Sequence, residues 1–211
     1  ETDKPAGVYS TELLADDVAA FMEAMGIQRA HVFGLSLGAA IGVWLAAKHP
    51  ARVKSLSLHS AWPATDPFLM AVVEGWQVMA RASGSVTDMI VLGIFPWCFT
   101  PELYAARPDY IQSLGDFVRS RPAQPLEAFL RQSNAVLAHD VESQLGRITA
   151  PTQITFGRRD ALTSTRFAER LRNAIRGSEV VIFEDCAHAA IYEKVEEFNQ
   201  RTVAFLKQHA A

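Results

Sequence analysis

The apolar positions of this chain follow one rhythm at its two ends and another in the middle. Thr11 to Gly26 repeats apolar residues at helical spacing, with Leu14, Val18, Phe21 and Met25 on one face, Ser10 as N-cap and Gly26 as terminator. The short run His31–Gly34 predicts a strand, Leu37–His49 a helix stopped by Pro50, and Val53–His59 a second strand. Strand-like runs return at 152–156 and 179–183, with a helix over Ser164–Ile175 between them. A last helix over Ile191–Gln208 places Ile191, Val195, Phe198 and Phe205 on one face. This alternation is the βαβ rhythm of a parallel sheet covered on both faces.

From Trp62 to about His139 the rhythm breaks. The stretch holds Trp62, Trp76 and Trp97, several phenylalanines and several prolines, and shows no clear strand. Helices are predicted around Pro67–Ala82, Val86–Gly93, Pro101–Ala106, Tyr110–Ser120 and Leu126–Ala138. Apolar pockets are lined by aromatic side chains with few polar groups, so this insertion reads as a helical cap whose aromatics face an active site. The expected organisation is a core of residues 1–61 and 140–211 with a cap of residues 62–139 inserted in it.

Three polar residues stand where such a sheet puts its chemistry. The strand before Ser36 runs into Gly34-Leu35-Ser36-Leu37-Gly38 and then a helix, the setting of a nucleophile elbow, a tight turn that holds a serine hydroxyl in the open. Side chains at 34 and 38 are expected to collide with neighbouring backbone as the turn closes, and Ala39, Ala40 and Gly42 to let the helix approach the sheet. The run Pro151–Gly157 ends in Arg158-Arg159-Asp160, and Glu179–Phe183 ends in Glu184-Asp185-Cys186-Ala187-His188. Both follow the C-terminal end of a strand, where open α/β sheets place ligands.

A serine becomes a nucleophile when a base within hydrogen-bond reach takes its proton. His188 is the expected base. His31 begins its strand at the wrong end, His49 and His209 close helices, and His139 suits a structural hydrogen bond. Asp160 would hold the imidazole tautomer and stabilise the cation formed during attack. Its rival Asp185 lies too close to His188 in sequence for that geometry and reads as a solvated loop carboxylate. The N–H of Leu37, at a helix start, is the expected oxyanion donor. Leu35, His59, Trp62 and Trp97 are expected to line the pocket, and Cys186 to be a buried loop thiol.

The order Ser36, Asp160, His188 resembles that of the α/β-hydrolase superfamily, and the likeness runs from the first helix to the last. It is nearest to small bacterial esterases and enol-lactonases with a helical cap, through Tyr9-Ser10, Lys48-His49-Pro50 and Cys186-Ala187-His188. The resemblance implies a Ser-His-Asp hydrolase with no metal and no organic cofactor. It also implies a hairpin and two further strands ahead of Ser10, the third strand of that set leading to a loop that supplies half the oxyanion hole. None of these is in the sequence, so roughly 70–90 further residues are expected ahead of Glu1, and the second oxyanion donor has no counterpart here.

Composition narrows the partners. At 211 residues and 49% apolar content the chain can bury one substantial core. A net charge of −3 without a basic block speaks against nucleic acid. No apolar run reaches the ~20 residues of a membrane span. Cys98 and Cys186 lie far apart and imply no disulfide framework, which fits a reducing cytoplasm. The expected function is cleavage of a small carboxylic ester or lactone through an acyl-enzyme, by a monomer or homodimer. The alternatives are a C–C bond, thioester or amide hydrolase or perhydrolase on the same residues, or a non-catalytic binding protein of hydrolase-like fold.

Overall fold

A computed structural model describes residues 2–210; Glu1 and Ala211, the outer ends of the expected core, lie outside the described residues. The Ser10 hydroxyl accepts the Leu13 N–H at 3.0 Å and starts helix α1 (Thr11–Ala24). Strand β1 (Ala30–Leu35) leads through Ser36 into α2 (Leu37–Lys48), and β2 (Val53–His59) follows. Helices α3 (Pro67–Ser83), α4 (Val86–Met89), α5 (Phe95–Cys98), α6 (Pro101–Ala106), α7 (Pro108–Ser120) and α8 (Leu126–Leu137) come next. The chain then forms β3 (Thr152–Gly157), α9 (Ala168–Ala174), β4 (Glu179–Phe183), α10 (Ala190–Glu193) and α11 (Val195–Gln208).

The four strands form one parallel sheet in the order β1-β2-β3-β4, with Gly34 beside Leu58, Leu58 beside Ile154 and Ile154 beside Val180. Alternation along the strands sorts the two faces. Val32, Leu56 and Leu58 meet α2 at Gly42, whereas Phe33, His59 and Phe183 meet Phe198 of α11 through ring contacts. Helices therefore cover both faces, and the central strands β2 and β3 are buried almost throughout. Helix α2 is apolar around most of its circumference, and its buried residues include Ala39, Ala40, Val43 and Ala46.

Between β2 and β3 the described residues form helices and one isolated bridge, Ala64 to Asp140. The two ends of this segment are tied together where they meet the sheet. Thr65 N–H donates to His139 O at 2.9 Å and Val141 N–H to Pro63 O at 2.8 Å. The His139 ring lies between them, 2.8 Å from Thr11 Oγ1 and 3.1 Å from Trp62 O.

Some expected faces differ. Phe21 on α1 and Met25 just past its end are exposed, because the helix meets its neighbours through Thr11, Ala15 and Met22, one position off the apolar stripe. The single expected C-terminal helix breaks at Lys194 (φ −127°, ψ 49°), which turns Val195 out to solvent while Phe198 and Phe205 stay buried. The helix expected to end at Gly93 instead runs through a π turn over Ile90–Ile94 into α5. Two helices start earlier or later than predicted by a few residues, and Thr165–Phe167 is a tighter turn ahead of α9.

Candidate active site

Ser36 sits between β1 and α2 with φ 53° and ψ −119°, a left-handed conformation that a serine adopts only where its surroundings hold it. Its N–H donates to His59 O at 2.9 Å, and its carbonyl accepts from Ala39 and Ala40. Gly34 makes the turn possible, since a β-carbon there would collide with the carbonyl of Gly38 and the backbone of Ala39. Gly38 differs from the expectation: a β-carbon there would meet nothing within 4 Å, because position 38 points away from the closing turn. At Gly42 a methyl would touch Leu56, Leu58 and Val32 at ordinary distances of 3.5–3.6 Å. Leu37 is the first residue of α2, so its N–H has no partner within the helix.

Asp160 and His188 are buried together beyond the ends of β3 and β4, with Oδ2 2.9 Å from Nδ1. The other carboxylate oxygen of Asp160 accepts the N–H groups of Leu162 (2.8 Å) and Thr163 (3.1 Å). Burial pushes this carboxyl up, but the adjoining imidazole and the Thr163 N–H outweigh it and hold it below its ordinary value. The Thr163 hydroxyl lies 2.9 Å from Ser60 O, 3.2 Å from Asp160 Oδ2 and 3.3 Å from His188 Nδ1. Asp185 is exposed, with Arg159 4.0 Å away.

The loop that carries His188 is gripped from three sides. His59 Nε2 and Ser60 Oγ both lie 3.1 Å from His188 O. Ala189 N–H donates to Cys98 O at 3.0 Å. The Glu193 carboxylate accepts the Ala187 N–H with one oxygen and the N–H and hydroxyl of Thr100 with the other. Gly157 lets the loop lie against the end of β3, where a β-carbon would run into the carbonyls of Cys186 and Ala187.

Ser36 and His188 open onto one cavity of about 370 Å³, walled by Leu35, Leu37, Trp62 and residues of the helical segment. Among the described residues neither the Ser36 hydroxyl nor His188 Nε2 makes a hydrogen bond, so the expected serine–imidazole contact is not closed. His59 and Trp97 do not line this cavity, contrary to expectation. His59 is fully buried behind the His188 loop, its Nδ1 2.6 Å from Thr155 Oγ1, and burial pushes its pKa down to about 3. Trp97 turns back onto the main core and packs edge-on against Phe68. Burial pushes both thiols, Cys98 and Cys186, up to about 12, so neither is an activated nucleophile.

The family model of the alpha/beta hydrolase fold matches residues 1–195. The chain belongs to the alpha/beta hydrolase family. It is 28% identical over 202 residues to the 2-hydroxy-6-oxo-6-phenylhexa-2,4-dienoate hydrolase of Comamonas testosteroni, covering 90% of this chain and 67% of that protein. Among solved structures it is similar to MGS-M2, an alpha/beta hydrolase from a Medee basin deep-sea metagenome library (TM-score 0.88, 25% identity, 98% of this chain and 75% of that one). It is also similar to the enol-lactonase of Burkholderia xenovorans LB400 (TM-score 0.85, 26% identity, 97% and 76%).

In this alpha/beta hydrolase, sequence reasoning overlooked Gly157, Thr163 and Glu193. The turn at Asp160 was readable in principle, since an Asp side chain often bonds the backbone N–H two residues on, here Leu162, but the Thr163 hydroxyl contact to Ser60 O is long-range. Gly157 and Glu193 carry no local signal, because each acts on a segment far away in the chain or on another element.

Proposed function

We propose that this protein is a serine hydrolase that cleaves a carboxylic ester or lactone through an acyl-enzyme, with residues 62–139 as a cap over the site. The observation that carries the reading is the His188 imidazole on the wall of the cavity onto which Ser36 opens, with the buried Asp160 carboxylate 2.9 Å from its Nδ1. Ser36 Oγ attacks the acyl carbon and passes its proton to His188 Nε2. The resulting imidazolium is held through Nδ1–H by Asp160, and the Leu37 N–H faces the oxyanion. His188 then gives the proton to the leaving alkoxide, and water repeats the sequence to free the acid and restore Ser36. Contacts of this kind often close only with substrate bound, which accommodates the open serine–imidazole pair.

C–C bond hydrolysis on the same residues is the second reading, favoured by the likeness to the Comamonas testosteroni enzyme. The deciding experiment treats the protein with a fluorophosphonate and maps the adduct by mass spectrometry, alongside turnover of p-nitrophenyl acetate. A single adduct on the peptide holding Ser36 with loss of turnover supports the proposal. Labelling elsewhere, or turnover that survives Ser36→Ala, overturns it.

A further inference from the structure

Among the described residues, no lysine, arginine, aspartate or glutamate lines the wall of the cavity at Ser36. Its bulk comes from rings and branched chains, among them Trp62, Trp76, Phe95, Phe99 and Phe129. The polar side chains in that wall are mostly engaged with the protein itself. The Trp76 indole N–H donates to Gly93 O at 3.2 Å, and the Trp62 indole N–H to Thr65 Oγ1 at 3.0 Å. Ser133 Oγ takes the Gln77 amide at 2.8 Å and donates to Leu130 O at 3.0 Å. Thr163 is held by Ser60 O at 2.9 Å. Among the described residues, the groups left over besides Ser36 and His188 are the Gln132 amide nitrogen, the Tyr192 phenol and the Cys98 thiol, none of which is a cation.

From this we infer that the part of the substrate that enters this cavity is uncharged and apolar, and that esters or lactones bearing a carboxylate there are rejected. The inference rests on the ester or lactone reading for its reaction but on the wall alone for its ligand. A carboxylate entering this cavity would leave water without a cationic partner, and such burial is among the costliest in protein chemistry. An alkyl chain gains instead, at about 0.8 kcal/mol per buried CH₂, or roughly fourfold in binding for each one. With water-sized groups taking ~30 Å³ each, the cavity has room for on the order of twelve. A chain of six to eight carbons therefore fits within it.

Two measurements on the intact protein test this and keep it separable from the reaction. The first compares kcat/KM for p-nitrophenyl acetate, butyrate, hexanoate and octanoate with the mono-p-nitrophenyl esters of succinate and adipate. The neutral series should climb about fourfold per CH₂ up to hexanoate, and each anionic ester should fall at least ~100-fold below its neutral counterpart of equal length. A flat neutral series, or anionic esters within about threefold of the neutral ones, overturns the inference while leaving the hydrolase reading intact. The second follows the fluorescence of the cavity tryptophans Trp62 and Trp76 during titration with octan-2-one and with octanoate. It needs no turnover. Saturable binding of the ketone with at least tenfold weaker binding of the carboxylate supports the inference even if no ester is cleaved, whereas equal or tighter binding of octanoate overturns it.

Discussion

The carboxylate of Glu193 accepts the N–H of Ala187 at 2.5 Å, one residue before His188. Its second oxygen holds Thr100 through both the backbone N–H and the hydroxyl, each at 2.7 Å. Thr100 caps α6 in the helical segment, so one carboxylate ties that segment to the loop carrying the imidazole. Glu193→Gln keeps the size but turns one acceptor oxygen into a donor that faces an N–H. Hydrogen bonds to charged groups are worth about 1.5–3 kcal/mol, so the variant should lose about 2 kcal/mol of stability. It should also lose about tenfold in kcat on an activated ester with KM within about twofold, because a displaced imidazole affects the chemical step more than binding. A variant that melts early yet keeps kcat would show that Glu193 serves the fold and not the position of His188.

Three glycines near the site separate close approach from mere smallness. Gly38→Ala adds a methyl in open space on a helix and should be neutral or stabilising by up to about 1 kcal/mol. Gly34→Ala drives a β-carbon into the backbone of residues 38 and 39, which cannot yield as a side chain would, and should cost about 3 kcal/mol or more. Gly157→Ala pushes on the carbonyls of Cys186 and Ala187. An offset of about 1 Å at the neighbouring imidazole is enough for a loss of about 100-fold in kcat. Thermal melts and ester turnover on the three variants check the ranking, and a damaging Gly38→Ala would mean that the elbow is packed differently.

The same glycines show what the sequence could and could not convey. The strand–Gly–x–Ser–x–Gly–helix run marks the turn at Ser36, because each part of the signal is local. Alternation in Val53–His59 and the apolar run at 152–156 marked the buried centre of the sheet for the same reason. His59 was misplaced because its position at a strand end is compatible with either face of the loop region, and only the fold brings the His188 carbonyl to its ring. Trp97 was misplaced because Pro96 and the π turn rotate it away from the cavity that Ile94 and Phe95 enter. Helix α1 misled through its composition: its apolar stripe is real, but tight packing selects the small Ala15 beside it.

Removing the proposed nucleophile or base should stop turnover without unfolding the protein. Ser36→Ala and His188→Ala are each expected to lower kcat by on the order of 10⁶, since such residues act as a unit. Asp160→Asn should cost less, about 10⁴, by favouring the wrong imidazole tautomer. The double variant Ser36→Ala, His188→Ala should be no slower than either single one. Additive losses would mean that the two side chains act independently and that the acyl-enzyme scheme is wrong.

Stability should fall steeply in mild acid, through histidines that the fold keeps neutral. Burial pushes His139 down to about 4, although the Trp62 carbonyl and Asp140 pull it back up, and burial pushes His59 down to about 3. Both ordinarily titrate near 6.5, so above that pH neither distinguishes the folded from the unfolded chain. As pH falls below 6.5 the unfolded chain takes up the protons first, and stability is lost until the folded value is reached. At about 1.36 kcal/mol per pH unit, the His139 contribution comes to on the order of 3 kcal/mol between pH 6.5 and 4. Asp160 does not confuse this window, because a carboxyl held below its ordinary value is felt only at lower pH. Urea unfolding of the wild type and of His139→Gln at pH 7 and pH 4.5 measures the difference. The variant is expected to start less stable, having lost the imidazole's fit between Thr11 and Trp62, yet to lose about 2 kcal/mol less than the wild type on acidification. Equal losses in the two proteins would mean that His139 picks up its proton in the folded state near its ordinary pH, so that the clamp at the base of the helical segment admits a charge.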